Sequence, residues 1–140
     1  LDNGQAMQRL LGDVQKVIDE MKEDDEIISS MAEKLEKEVT TLSEVTLWLG
    51  SRMLEGELVD ASAAASPYLK MFGQVLGGYY MGKAAMLANK KFKETNDEFY
   101  SDKLTLSKFY IEQLLPLTSG YASAVTAGKE DLYAMKAENF

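Results

Sequence analysis

The stretch ISSMAEKLEKEVTTLSEVTLWLGSRM, residues 28–53, decides the fold class of this 140-residue chain. Its apolar residues recur at steps of three and four, the period of one helix face: Ile28, Met31, Leu35, Val39, Leu42, Val45, Leu49 and Met53. Gly56 supplies a stop signal just beyond it. The pattern predicts an amphipathic helix of about 28 residues, roughly 42 Å long, that must bury its stripe against other helices.

The segments on either side have the same helical period. Upstream, an apolar stripe from Met7 to Met21 predicts a first helix of about five turns, and Asp24 or Asp25 is the expected N-cap of the second. Downstream, a third helix is predicted from Asp60 to the lysines at positions 90, 91 and 93. We expect a kink or a broken first turn at Pro67, because proline lacks the amide that a helix interior needs.

A fourth helix is predicted from Thr95-Asn96-Asp97-Glu98, which has the capping-box spacing, to Pro116, where it should end or bend. Glycines at 120 and 128 break the remaining residues, 118–140, into short helical turns. No stretch alternates convincingly with period two. The chain is therefore predicted to be one all-α domain over residues 1–140, an up-down antiparallel four-helix bundle with a short helical C-terminal tail.

Composition excludes several classes of chemistry and of partner. The chain has no cysteine and no histidine, which removes thiolate nucleophiles, zinc knuckles and the usual general base. With 15 basic and 23 acidic residues its formal charge is −8, the wrong sign for nucleic acid and for anionic membranes. No apolar run reaches the roughly 20 residues that span a bilayer. We expect a cytoplasmic protein whose partners include neither nucleic acid nor membrane.

No set of residues predicts a catalytic, metal or cofactor-binding site. A di-metal centre in a bundle uses Glu-x-x-His pairs, which this chain cannot form. The acidic run from Glu23 to Glu26 lacks the alternating ligands and central glycine of an EF-hand loop. Lys83 is the best candidate for a desolvated amine, but a lysine whose stem covers apolar surface is the favoured interpretation. The serines have no base to activate them.

Four glycines in the third helix form two Gly-x-x-x-Gly pairs: Gly73, Gly77, Gly78 and Gly82. Each costs about 0.5–1 kcal/mol relative to alanine in a helix interior, so their presence needs a reason. We expect them to let another helix approach closely, with Phe72, Tyr79 and Tyr80 filling the same layer and Trp48 opposite. A ligand pocket lined by these aromatic rings is the alternative.

Several short motifs of the second half resemble one known family. They are SPYLKMFG (66–73), VLGGY (75–79), FYSDK (99–103), SKFY (107–110) and LLP (114–116). In this order and spacing, residues 64–116 resemble the C-terminal extension domain of a subgroup of acyl-CoA dehydrogenases, similar to the 3-methylmercaptopropionyl-CoA dehydrogenases. Tyr80 and Met81 depart from the tryptophan-rich variation of that family, and the first 40 residues match only in helical character.

The resemblance implies that the chain is a fragment of a longer flavoenzyme. Such enzymes oxidise an acyl-CoA to the 2,3-enoyl-CoA, with a glutamate as base and FAD as hydride acceptor in domains upstream of the extension. The resemblance therefore implies no catalytic residue and no cofactor in this chain, and FAD in the parent enzyme. The expected partners are the upstream catalytic domains of the same polypeptide, or further copies in a homo-oligomer. That the chain begins with leucine agrees with this expectation.

The residues expected to make helix-packing or docking contacts are mostly glycines and aromatic residues of the third and fourth helices: Trp48, Tyr68, Phe72, Gly73, Gly77, Gly78, Tyr79, Tyr80, Gly82, Phe109 and Tyr110. Two other functions stay open. One is a free-standing helical interaction module, such as a homodimer formed through the glycine ridge. The other, less favoured, is a carrier for acyl-CoA or another apolar ligand inside the bundle.

Overall fold

The computed structural model describes residues 4–139, and all regular structure in that range is helical. The α-helices are α1 (Gln5–Lys22), α2 (Glu26–Leu54), α3 (Leu58–Thr95), α4 (Glu98–Phe109), α5 (Thr118–Thr126) and α6 (Glu130–Tyr133). A π-helical turn, Tyr110–Leu114, and a 3₁₀ turn, Leu115–Leu117, join α4 to α5, so residues 98–126 form one irregular fourth leg. A short 3₁₀ turn, Ala137–Asn139, follows α6. The predicted all-α bundle is confirmed.

Helices α2 and α3 form the central antiparallel pair of the bundle. Asn89 bonds to Asp25 near one end of the pair, and Tyr68 bonds to Thr46 toward the other. Helix α1 packs on both members of this pair, and so does the fourth leg. Because α1 and the fourth leg have little contact with each other, they occupy opposite sides of it. In cross-section the four legs form a rhombus whose short diagonal is α2–α3.

The core lies along this diagonal. Its largest fully buried apolar side chains come from all four legs: Ile18, Met21, Ile28, Met31, Leu35, Met71, Ile111 and Leu115. Burying each contributes about 1.5–3 kcal/mol relative to leaving it exposed. The stripe of α2 accounts for much of this core, as its sequence predicts, although its last members, Leu49 and Met53, are half-buried and exposed.

Two chain segments meet at the end of the bundle that carries the α2–α3 turn, residues 55–57, here called the turn end. Gly56 adopts a left-handed conformation there (φ 83°), which favours glycine. The amide of Lys129, just after α5, donates to the Asp60 carboxylate at 3.0 Å. Helix α1 begins toward the same end, because its Leu10 lines a small void together with Leu42 of α2.

Two local predictions about helix starts have different outcomes. Asp25 is the N-cap of α2, and its carboxylate accepts the Ile28 amide at 3.2 Å. The capping box at residues 95–98 is wrong: α3 continues through Thr95, and the side chain of Asp97 caps α4 by accepting the Phe99 amide at 3.0 Å. Asn96 makes this short connection feasible, since it adopts the left-handed conformation that asparagine tolerates.

The two prolines disturb the helices less than predicted. Helix α3 begins at Leu58 and continues through Pro67 without a break, because the turns on both sides are anchored by the buried residues Ala64 and Met71. Before Pro116 the fourth leg widens into its π-helical turn, and it then continues into α5. Prolines and π-helical turns both bend helices, and here they occur together.

None of the helices in residues 4–139 has the length and apolar character required to cross a membrane.

Candidate docking surface

Three of the four glycines in α3 lie against neighbouring legs. A Cβ added to Gly78 would lie 2.9 Å from a Leu35 methyl group of α2 and 3.2 Å from Leu115 of the fourth leg. One added to Gly82 would contact the Met21 sulfur of α1 at 2.6 Å. These glycines therefore allow α3 to approach its neighbours closely.

Gly77 makes room for a tyrosine. A Cβ at this position would lie 2.8 Å from Cζ of Tyr110 and closer still to its hydroxyl oxygen. That hydroxyl donates to the Gln74 carbonyl oxygen at 2.9 Å, and burial raises the pKa of Tyr110. The absence of a side chain at Gly77 thus lets a polar side chain cross from the fourth leg onto the α3 backbone.

Gly73 has a different environment. Nothing lies within 4 Å of the position that its Cβ would occupy, and the residue is exposed. The expectation that all four glycines admit a neighbouring helix is therefore wrong at this position. Gly73 lies on the side of α3 that faces away from the core, where no leg of this bundle covers it.

Trp48 is not opposite the glycine layer. The α2 residue that contacts Gly78 and Gly82 is Leu35, thirteen positions before Trp48, which corresponds to about 20 Å along the helix. Trp48 is half-buried near the turn end, and the Arg52 guanidinium lies 5.4 Å from the centre of its ring.

The remaining aromatic residues divide into a half-buried and an exposed group. Tyr68, Phe72 and Tyr79 are half-buried against the core, and the Tyr68 hydroxyl pairs with Thr46 at 2.9 Å. Tyr80 is 58% exposed and Phe109 is 53% exposed. Of the residues predicted to pack or dock, only Gly73, Tyr80 and Phe109 are thus free to contact a partner over much of their surface.

Further apolar residues share the outward side of α3 with Tyr80, and they were missed from the sequence. Leu69 is 70% exposed and Leu87 is 59% exposed. We name the set on this side the outer stripe: Leu69, Gly73, Leu76, Tyr80, Lys83 and Leu87. The signal that could have revealed it is the composition of α3, which is apolar on both sides, whereas a helix that packs on one side only is polar on the other.

A second apolar surface lies at the turn end, and it was also missed. Met53, Leu54, Leu58 and Val59 flank the turn, and Leu54 is 91% exposed. The segment after α5 adds three more exposed residues, Leu132, Tyr133 and Met135. In MLEGELV, residues 53–59, the six residues around the glycine are all apolar or acidic. The leucines among them lie directly beside a predicted turn, and this was the signal that the sequence offered.

Two acidic residues of residues 4–139 are buried, Asp60 at the start of α3 and Glu38 in the middle of α2. Glu38 of α2 is buried, and the Ser119 hydroxyl approaches its carboxylate at 3.4 Å. Burial raises the pKa of Glu38, and the charge of Lys37 and the Ser119 hydrogen bond offset only part of that effect. The residue lies one turn beyond Lys34, which bonds to Glu112 rather than to Glu38.

The described residues, 4–139, offer surfaces for contact with a partner. Within residues 4–139 no group of three carboxylates is placed to hold a metal ion. The void between α1, α2 and α3 measures about 10 Å³, enough for at most one water, and its lining is entirely apolar. What the arrangement can do is present two exposed apolar surfaces on a closely packed bundle.

A family model described as "Acetyl-CoA dehydrogenase C-terminal like" matches residues 10–136, about nine-tenths of the chain. No curated protein and no solved structure gave a significant match.

Proposed function

The chain belongs to the acetyl-CoA dehydrogenase C-terminal-like family, and on that premise we propose that it is the accessory helical domain of a flavin-dependent acyl-CoA dehydrogenase. The parent enzyme oxidises an acyl-CoA to the 2,3-enoyl-CoA in the cytoplasm, and this domain packs on its catalytic domains or supports the assembly of its subunits. The observation that carries the proposal is the family match over nearly the whole chain.

The flavin belongs to the catalytic domains in this proposal, because the residues here do not fit it. The glycine-rich segment of the chain lies within α3, where the backbone amides are used by the helix itself. A phosphate cradle needs such amides free at the start of a helix. FAD would supply the redox chemistry in those catalytic domains, and the present chain would contribute contacts only.

The turn end is the surface that we assign to the catalytic domains. Its leucines are among the most exposed apolar side chains of residues 4–139, and exposed apolar patches on a folded domain commonly mark interaction sites. Helix α1 also begins toward this end, so a polypeptide that precedes α1 is tethered beside it. Tethering raises the effective concentration of that partner at the turn end.

The charges around the turn end suit a contact of this kind. Arg52 pairs with Glu55 at 3.2 Å, and Lys129 pairs with Glu57. Each pair joins one positive and one negative side chain, and both pairs lie beside the exposed leucines. An apolar centre with a polar rim is the usual anatomy of a protein–protein interface.

The void in the core is too small for the carrier alternative, in which the ligand lies inside the bundle, and the larger cleft between α1 and α3, about 510 Å³, is open to solvent. Pockets for drug-sized ligands measure about 300–1,000 Å³, whereas the void in the core, between α1, α2 and α3, holds about 10 Å³. A free-standing interaction module remains the second candidate, because it would expose the same apolar surfaces.

Charge substitutions at the turn end test the proposal in the full polypeptide that carries this domain. Leu54→Asp and Leu58→Asp place carboxylates on the assigned surface, and Ile27→Asp is the matched control, since Ile27 is 49% exposed near the other end of α2. We expect the first two variants to release the domain, seen as faster proteolysis between domains and a loss of thermal stability of the flavin-bound enzyme.

The control separates docking from general damage. Ile27→Asp should leave both readouts at the wild-type value, and all three variants of the isolated chain should keep helical circular dichroism. Equal effects of Ile27→Asp and Leu54→Asp, or no effect of either turn-end variant, would contradict the assignment of the turn end to the catalytic domains.

A further inference from the structure

Asp60 is a buried acid whose carboxylate binds a segment far along the chain. The residue is 8% exposed and lies in the first turn of α3. The start of α3 has no side-chain cap. Instead of capping its own helix, the Asp60 carboxylate accepts the amide of Lys129, 69 positions later, at 3.0 Å. Because burying a carboxylate is costly unless it is hydrogen-bonded, the Lys129 amide offsets the cost of placing an acid here.

Lys129 is held at the turn end by both its backbone and its side chain. Its amide donates to Asp60, and its ammonium pairs with Glu57 of the α2–α3 turn. Gly128, directly before it, adopts a left-handed conformation (φ 81°), and a Cβ there would lie 3.7 Å from the Asp60 carboxylate. The chain therefore leaves α5 in a tight turn beside this carboxylate. We name these contacts of Lys129 with Asp60 and Glu57 the clasp.

The clasp is the point where residues 130–139 join the bundle. Lys129 is half-buried, whereas every residue from 130 to 139 is exposed, and α6 has little contact with the other helices. The segment nevertheless carries three large apolar side chains, Leu132, Tyr133 and Met135, each more than half exposed. The position of these side chains relative to the α2–α3 turn thus depends on the clasp.

We propose that Asp60 is the positioning residue of the docking surface at the turn end. By holding Lys129 it places the apolar side chains of residues 130–139 beside those of the α2–α3 turn, and the two sets together form the surface that contacts the catalytic domains of the same polypeptide. This inference rests on the function proposed above, and it names the residues through which that surface is assembled.

The size of the surface favours a contribution from both sets. The α2–α3 turn exposes four large apolar residues, Met53, Leu54, Leu58 and Val59. A stable interface buries about 800 Å² on each partner and uses about 20–30 residues of each, which is more than a single turn offers. Residues 130–139 enlarge the surface on the side where Lys129 bonds to Glu57 and Asp60.

The clasp also prepares the segment for binding. A segment joined to the bundle only through α5 would lose conformational freedom when it docks, and that loss weakens association. Because Lys129 is already fixed in the folded domain, part of the ordering has taken place before the catalytic domains make contact.

A spin label tests the clasp in the 140-residue chain, which contains no cysteine of its own. A nitroxide is attached at Met135→Cys, and its mobility is compared in the wild-type background, in Asp60→Ala and in Asp60→Asn. We expect the rotational correlation time of the label to fall at least twofold in Asp60→Ala. It should stay near the wild-type value in Asp60→Asn, because asparagine keeps an acceptor for the Lys129 amide.

Two controls separate the clasp from general damage to the fold. A label at Leu106→Cys, an exposed position of α4, should have the same mobility in all three backgrounds. Lys129→Pro removes the donated amide from a position outside the helices, so it should mobilise the Met135→Cys label without unfolding the bundle. Unchanged mobility at position 135 in Lys129→Pro would overturn the proposal.

Interdomain proteolysis of the full polypeptide tests the role in docking. In one variant, here called the segment variant, Leu132, Tyr133 and Met135 are all replaced by serine. We expect the segment variant and Asp60→Ala each to raise the rate of cleavage between the domains at least threefold. Asp60→Ala should add nothing to the segment variant, because Asp60 acts through these side chains. Additive effects would show that Asp60 only stabilises the fold, and would overturn the proposal.

The same experiment distinguishes failure of this inference from failure of the proposed function. If Leu54→Asp releases the domain and the segment variant does not, the turn end docks without residues 130–139, so this inference is overturned and the proposed function stands. If neither variant releases the domain, the turn end is not the docking surface and both are overturned.

Discussion

At position 38 a carboxylate is enclosed by the bundle, and this single residue gives the protein a distinctive pH dependence. Burial raises the pKa of Glu38, so the folded state binds its proton more tightly than the unfolded state. The Glu38 carboxyl therefore stabilises the folded state most below its unfolded pKa of about 4.5. This stabilisation is lost as the pH rises through the higher pKa of the folded state.

Glu38→Gln should therefore stabilise the protein at neutral pH. It removes the buried charge while keeping the shape and a partner for the Ser119 hydroxyl, and we expect a gain of about 1 kcal/mol in the free energy of unfolding at pH 7. The gain should vanish near pH 4.5, where the carboxyl is protonated. Urea denaturation at both pH values measures it, and Glu44→Gln, at an exposed position of α2, should change little. Destabilisation at pH 7 would contradict this account of Glu38.

Two glycines four residues apart should respond in opposite directions to the same substitution. Gly77→Ala places a methyl group against the Tyr110 ring and displaces its hydroxyl from the Gln74 carbonyl, at a cost of about 1–3 kcal/mol. Gly73→Ala meets open space and gains about 0.5–1 kcal/mol from helix propensity. Thermal or urea unfolding in dilute solution measures both. Equal effects would show that close approach does not distinguish the two positions.

Among the elements, α2 depends on a cap that also joins α2 to α3. Asp25 accepts the Ile28 amide, the Asn89 side chain at 2.7 Å and the Lys93 ammonium at 3.0 Å. Partial burial raises the pKa of Asp25, but the bonds from Lys93, Asn89 and Ile28 outweigh it and leave the pKa lowered. Its contribution to stability is present above the unfolded value and is lost as the pH falls, the opposite of Glu38.

Removal of this cap should cost more than removal of a cap that serves one helix alone. Asp25→Ala is expected to destabilise the protein by about 2 kcal/mol, because Asn89 and Lys93 also lose their bonds to this carboxylate, and Asn89 keeps only a longer bond of 3.3 Å to Asp24. Asp97→Ala, at the exposed cap of α4, is expected to cost about 1 kcal/mol. Chemical denaturation at pH 7 compares the two variants. A larger loss in Asp97→Ala would contradict the linking role of Asp25.

The helices were predictable where one local rule acts alone. The three-four spacing of α2 and the Asp25 cap both follow from residues that are close in sequence. The prediction of a capping box that begins at Thr95 failed because Asn96 adopts a left-handed conformation. The N-cap of α4 is therefore Asp97. The prediction of a kink or broken turn at Pro67 failed because of tertiary packing: the burial of Ala64 and Met71 keeps the helix continuous.

Among the candidate contact residues, the sequence indicated which residue types matter but not which way they face. Gly73 and Gly77 have the same sequence signature, and only the position of Tyr110 separates a packed glycine from an open one. Trp48 was assigned to the wrong layer because helix register depends on the length of the α2–α3 turn. Leu54 and Leu69 were missed because an apolar residue on a helix is ordinarily taken to face the core.

At the scale of the whole molecule, charge and apolar surface are distributed unevenly. The chain carries −8 overall, yet α3 has five lysines and two acids. The outer stripe of α3 is therefore mostly apolar and lies among lysines. The turn end is also apolar, but its charged residues include both signs. The two surfaces therefore differ in chemistry.

The most direct test of the central claim is the mass and absorbance spectrum of the native polypeptide that carries this sequence, captured with an antibody against the domain. The account predicts a polypeptide several hundred residues longer, with the absorbance of bound flavin, which acyl-CoA bleaches as the flavin is reduced. A colourless polypeptide of the chain's own length, unable to oxidise any acyl-CoA, would contradict it.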